Sequence, residues 1–148
     1  MDTIQFNCKH LAFAGIDLVE TLINGTALVE LARAHEQPFA DAEGHPDIAG
    51  GYDGMSPGDL WSGDSGLSNI DGSRTVQVLQ CDGCYEPGCW PLMCRVEMSA
   101  DRVVWSDFEQ SHRDSGDDRW KYDTFGPFEF DRAQYDAAIA AATPKLSP

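Results

Sequence analysis

Three of the chain's five cysteines fall within the ten residues CDGCYEPGCW, at positions 81, 84 and 89. Sulfur at such density supports three kinds of chemistry: metal binding, disulfide exchange, or attack by a thiolate. A structural zinc takes four nitrogen or sulfur ligands in a tetrahedron, so Cys81-x2-Cys84-x4-Cys89 supplies three and asks for a fourth. A redox pair of the thioredoxin kind needs its C-x2-C at the start of a helix. Here Pro87, Gly88 and Pro91 oppose a helix after the thiols. An inert set of thiols in a Gly/Pro turn is the third reading.

The fourth ligand is sought downstream. Leu92, Cys94, Val96 and Met98 alternate with polar neighbours, and Arg102 to Phe108 follows after a turn at 99–101, which predicts a hairpin over about 91–108. In its antiparallel register the residue opposite Cys89 is His112 or its neighbour Ser111. A zinc site of Cys81, Cys84, Cys89 and His112 is therefore the leading expectation. Cys94 alternates onto the apolar face with Leu92 and Val96, which makes it the weaker ligand. The competing enzyme reading centres on Cys84, Cys89 and His112 with Arg113 and Asp107, using a zinc-bound water or a thiolate nucleophile.

Other motifs carry less. Gly54-Met55-Ser56-Pro57-Gly58 spells a nucleophile elbow, but Pro57 lacks the N–H that would complete an oxyanion hole. Gly63-Asp64-Ser65-Gly66 echoes a serine-protease segment in a glycine-rich stretch and is read as chance. His10, His35 and His45 have no partner pattern. Trp90, Trp105 and Trp120 either line a pocket near the thiols or belong to the core, and the core is the better reading.

The elements that hold these residues follow from periodicity. Ile4, Phe6 and Cys8 alternate as a strand, which sets Cys8 in the core, and a second strand is expected at Leu18 to Ile23. Asn24-Gly25 marks a turn, after which a helix near 27–37, capped by Thr26, stops before Pro38. Residues 38–74 read as a Gly/Asp-rich loop region. Thr75 to Leu79 forms a strand running into the thiols, and Phe128 and Phe130 flank a short one. Asp131 and Gln134 resemble a capping box opening a C-terminal helix near 132–142, ended by Pro144. These elements make one α+β domain, 1–148, on a mostly antiparallel sheet.

Charge narrows the function classes. Against 25 Asp and Glu stand only 10 Lys and Arg, a formal net charge of -15. That field repels nucleic acid and anionic lipid surfaces; it suits a basic protein partner, a cationic substrate or a divalent metal, although simple solubility is the better reading of the charge. No apolar run reaches the ~20 residues of a membrane span. MDTIQFNCKH carries an acid at position 2 and no basic leader into an apolar stretch, so a reducing cytoplasm is expected, where clustered thiols are metal ligands or catalytic groups more often than disulfides.

With these residues in view, residues 81–139, about two-fifths of the chain, resemble a family of small uncharacterised bacterial proteins. Its motifs are C-G-E-x-G-C-W-P, W-x-x-F-x-Q-x-H-R and F-G-P-F-x-F-D-R, and no activity is assigned to it. They stand here as Cys84 to Pro91, Trp105 to Arg113 and Phe125 to Arg132, with Tyr85 in place of a glycine and Ser111 in place of a proline. The resemblance implies a bacterial source and a shared Cys/His/Trp constellation, not a reaction. The expectation is a small acidic binding or structural module, zinc-stabilised through the Cys/His cluster, and not an enzyme.

Overall fold

Eight strands, three α-helices and one short 3-10 turn are found among the residues that a computed structural model describes, 1–62, 66–67, 70–85 and 88–146, with side chains to residue 142. Strands β1 (Ile4–Leu11) and β2 (Ile16–Ile23) form a hairpin that is extended by the two-residue β3 (Thr26–Ala27). The turn between β2 and β3 places both Asn24 (φ 53°) and Gly25 (φ 82°) in the left-handed region, as the Asn-Gly pair favours. Helix α1 (Leu28–Ala42) follows at once. Thr26 is thus a strand residue paired with Ile23 rather than a cap, and the cap position falls to Ala27 without a side-chain bond.

Helix α1 also runs through Pro38 instead of stopping at it. A proline inside a helix forfeits one backbone bond and costs about 3 kcal/mol or more. Burial on both sides offsets that loss, since Glu36 and Ala40 are fully enclosed and the N–H of Glu43 still donates to Phe39 at 3.1 Å. The stretch 38–74 is likewise more than a loop. It contains the end of α1, a 3-10 turn at Pro46–Ile48, strand β4 (Tyr52–Gly54), the short helix α2 (Pro57–Trp61) and the start of β5 (Ser73–Cys81). These pieces were hidden because they are brief and find their partners far away, Tyr52 opposite Cys81 and Gly54 opposite Leu79. The segment Gly63-Asp64-Ser65 lies outside the described residues.

The second sheet has the order β4-β5-β6-β7-β8, antiparallel throughout, with β6 at Leu92–Met98, β7 at Arg102–Gln110 and β8 at Phe128–Asp131. The predicted hairpin is β6–β7, two residues longer at its far end. The last helix, α3 (Arg132–Leu146), continues past Pro144. At its start Asp131 accepts from the Gln134 N–H at 3.0 Å, half of the expected capping box. Gln134's own side chain turns elsewhere: its amide bonds the N–H and C=O of Ile4 at 3.1 and 2.7 Å and so closes the free edge of β1.

Two single bridges join the sheets into a ring of strands, Val19 against Met55 at one seam and Asp2 against Phe130 at the other. Gly54 lies so close to β2 at the first seam that a Cβ there would run into the Val19 carbonyl. One apolar core fills the ring, from Phe6 and Val19 through Val76 and Val96 to Trp105 and Phe130, with Tyr135 and Ala142 of α3 sealing it. Cys94 belongs to this core. Cys8, by contrast, is only half-buried, because β1 is covered by α3 over part of its length. The fold is α+β, as the pattern of elements predicts.

Candidate metal centre

Strand β5 ends at Cys81 and β6 begins at Leu92, so the thiol segment is the link between two neighbouring antiparallel strands. Pairing of β4 with the end of β5 fixes where that link starts: Tyr52 lies opposite Cys81, and the Asp82 N–H donates to the Gly51 carbonyl at 3.3 Å. The chain then folds tightly on itself. The Tyr85 N–H donates to the Cys81 carbonyl at 3.2 Å, and Tyr85 itself has φ 54°, the left-handed conformation that a glycine would take without strain. Gly88 is left-handed as well, at φ 86°.

The outcome is that the Sγ atoms of Cys81, Cys84 and Cys89 all lie within 4.8 Å of one another. Zinc bound to sulfur at about 2.3 Å in a tetrahedron sets its sulfurs ~3.8 Å apart, so contraction of about 1 Å at most closes the three onto one ion. The Gly83 N–H donates to Cys81 Sγ at 3.3 Å. Burial acts to raise the Cys81 thiol, yet the N–H groups of Cys84 and Gly83 and the thiols of Cys84 and Cys89 outweigh it and hold its pKa below an ordinary cysteine's. The Cys84 thiol foremost, then burial and the Cys81 sulfur, push Cys89 up to about 12. Negative charge is therefore favoured on the Cys81 sulfur over that of Cys89. Cys94, displaced to the core, has its thiol pushed up by burial alone.

His112 reaches the neighbourhood of the thiols but is not one of the clustered groups. Its Nε2 faces the Gly88 carbonyl at 3.3 Å, one residue from Cys89, and its ring stacks on Trp90 at 5.7 Å between centroids. The register explains the offset. A bulge at Asp107, left-handed at φ 51°, inserts one extra residue in β7, so Leu92 pairs with Gln110 and the position opposite Cys89 extrapolates to Arg113 instead of His112. Beyond Gln110 the chain leaves the sheet in a turn, with the His112 N–H donating to Gln110 Oε1 at 2.7 Å and the Arg113 N–H to its carbonyl at 2.8 Å.

Arg113 is drawn into a clasp beside the site. Its guanidinium lies over Trp90 and Trp120, 5.1 and 5.8 Å from the ring centroids, and donates twice to Glu43, from Nε at 3.0 Å and from a terminal nitrogen at 3.1 Å. Trp120 Nε1 donates to the same carboxylate at 2.6 Å. The Arg113 hydrogen bond is the main cause that holds the Glu43 carboxyl below its usual range. Asp107 lies exposed in the bulge and lines a separate surface pocket with Asp114, Arg119 and Asp123. The proposed enzyme set is thus divided, with Arg113 committed to Glu43 and Asp107 facing elsewhere.

Sequence reasoning missed a second polar centre, deep in the core. Glu36, on α1, is fully buried and accepts from the Gly50 N–H at 2.9 Å, the Tyr52 hydroxyl at 2.6 Å and the Tyr122 hydroxyl at 2.5 Å. Gln110 adds a bond to Tyr52 at 3.3 Å. Burial pushes Glu36 above the ordinary glutamate value, against the pull of these hydrogen bonds. Every partner comes from a distant part of the chain, and the only local clue is an acid on the apolar face of a helix.

His10, His35 and the elbow motif have structural roles. His10 bonds Asp17 at 2.7 Å, and His35 bonds the Lys121 carbonyl at 2.7 Å while stacking on Tyr122. Ser56 caps α2, accepting from the Asp59 N–H and donating to its carboxylate at 2.8 Å. Trp105 and Trp120 are core residues, and Trp90 is half-buried against the core with its ring edge-on to Trp120. No described helix is long and apolar enough to cross a membrane. Compared with known proteins, the chain finds no match among family models, curated proteins or solved structures.

Proposed function

We propose that Cys81, Cys84 and Cys89 bind zinc with His112 as the fourth ligand, and that the protein is a small acidic binding module stabilised by that ion. The observation that carries this is the convergence of three sulfurs within 4.8 Å around a backbone N–H aimed at one of them. His112 suits the fourth place because its Nε2–H is directed at the Gly88 carbonyl, which leaves Nδ1 as the nitrogen with a free lone pair. The ring is exposed and its Nε2 meets the carbonyl of the residue next to Cys89, which sets it beside the thiol turn. A closed four-ligand site of this kind serves structure, whereas three ligands and water serve catalysis.

The net charge of -15 supports a basic protein as the partner, in a reducing cytoplasm where the thiols stay reduced. Membership of the bacterial family with the C-G-E-x-G-C-W-P motif belongs to the same proposal. Its support is that Trp90, Gln110, His112 and Arg113 gather around the thiol turn, and that Tyr85 takes the backbone conformation of the glycine it replaces.

The deciding experiment is elemental analysis of the purified protein with thiol titration before and after denaturation. One zinc per chain is expected, with Cys81, Cys84 and Cys89 protected in the native state alongside the buried Cys94. No stoichiometric metal with those three thiols freely reactive overturns the reading. His112→Ala is expected to weaken zinc binding at least tenfold; unchanged affinity removes His112 from the site and moves the centre to the three-ligand, catalytic class.

A further inference from the structure

The five thiols differ sharply in what can reach them. Cys94 is fully buried, and Cys8 is half-buried and stands outside the cluster, whereas Cys84 and Cys89 are exposed within it. Oxidants act on thiols that are accessible and deprotonated, above all where a second sulfur is near enough to resolve the product. A bound metal keeps its thiolates deprotonated.

Within the cluster, Cys81 and Cys84 form the better pair. The Tyr85 N–H donates to the Cys81 carbonyl at 3.2 Å, so the two cysteines stand at the ends of one tight turn. A turn of this kind holds residues three apart within about 7 Å, which meets the ~4.4–6.8 Å that a disulfide spans between Cα atoms. The Gly83 N–H donates to Cys81 Sγ at 3.3 Å and so holds that sulfur over the turn. The two sulfurs lie within 4.8 Å of each other, and the exposed Cys84 is not held by the core. Cys89 follows a separate left-handed residue, Gly88, and no described backbone bond ties it to Cys84.

We propose that hydrogen peroxide joins Cys81 to Cys84 in a disulfide and thereby expels the zinc, an oxidant response that rests on the zinc reading. The Cys84 thiolate attacks one peroxide oxygen, the O–O bond breaks, and the departing hydroxide takes a proton to leave as water. The Cys81 thiolate then attacks the sulfenic sulfur of Cys84, the S–O bond breaks, and a second hydroxide leaves as water with a second proton. Two thiolates together lose two electrons, and one peroxide gains them as it becomes two waters. Cys89 and His112 remain as two of four ligands, too few for a closed site.

The test treats the zinc-loaded full chain with one equivalent of hydrogen peroxide, reads released zinc with a colorimetric chelator, and alkylates the remaining thiols after denaturation. A protease that cuts before aspartate then separates residues 71–81 from 82–100, dividing the chain between Cys81 and Asp82. Zinc release in proportion to peroxide is expected, with the two fragments joined until a reductant is added and the alkyl label on Cys89 but not on Cys84. Reductant and fresh zinc should restore the metal content, because a disulfide is reversible where a sulfinic acid is not. Cys8→Ser should respond like the parent chain. Zinc retained after the peroxide is consumed, fragments that part without reductant, label on Cys84, or a response lost in Cys8→Ser overturns the proposal. A chain that takes up no zinc at the outset overturns the zinc reading and the release with it, so the two failures are told apart before peroxide is added.

Discussion

The Glu36 knot and the thiol turn are opposite solutions to placing reactive polar atoms in a small fold. Around Glu36 each donor has an acceptor at 2.5–2.9 Å and the carboxyl is sealed from water. In the thiol turn three sulfurs converge with Cys84 and Cys89 exposed, and a 3.3 Å N–H contact is the support that Cys81 receives from Gly83. The first region has used its bonding capacity internally; the second has kept it for something external. Tyr52 connects them, its backbone opposite Cys81 and its hydroxyl on Glu36.

The sharpest way to break this contrast is to remove the metal. Structural zinc contributes about 10–16 kcal/mol of apparent binding free energy in small sites, so a strong chelator is expected to lower the melting temperature by tens of degrees. Calorimetry that shows the same transition with and without chelator would make the thiol turn as self-sufficient as the knot. Metal uptake should also release protons, because Cys89 is pushed up to about 12 and is protonated at neutral pH. Affinity measured by competition should therefore climb steeply with pH.

Next in size is the knot itself. Glu36→Ala strands two tyrosine hydroxyls and the Gly50 N–H, at an expected cost of about 3 kcal/mol in urea unfolding, while Glu36→Gln should cost less. Its pH dependence has a definite sign. A raised carboxyl pKa means that the native state holds its proton longer than the unfolded chain does, so this part of the stability is present below the ordinary glutamate value and declines as pH rises through the raised one. Glu43, held low by Arg113, acts in the opposite sense, its stabilisation being lost as pH falls through its depressed value. Glu36→Gln should flatten the first slope and Glu43→Gln the second.

Smaller effects refine the comparison. Arg113→Lys keeps the charge but loses the forked bond to Glu43 and the fit between two indole rings, for about 1–2 kcal/mol by denaturant midpoint. Tyr85→Gly removes a left-handed non-glycine residue and should stabilise the turn by about 1 kcal/mol, read as a small rise in melting temperature.

Legibility in the sequence follows the same division. The thiol cluster, the β6–β7 hairpin and the apolar face of α3 at Tyr135, Ala138, Ile139 and Ala142 are all written in local spacing, and the fold class follows from them. What depends on distance was not legible. The knot joins residues 36, 50, 52 and 122, β4 is three residues long, and Pro38 sits inside a helix because buried neighbours outweigh its lost bond. The register at His112 failed by one position for a similar reason: the bulge at Asp107 depends on a left-handed aspartate, which the alternation of β7 does not announce.

The ring of strands has one further implication. Its first seam is made at one bridged residue pair, where the Val19 N–H donates to the Met55 carbonyl at 2.9 Å. A junction this narrow behaves as a latch between two sheets that are each well laced internally. The Val19 amide is therefore expected to trade its hydrogen for deuterium faster than its β2 neighbours bonded to β1.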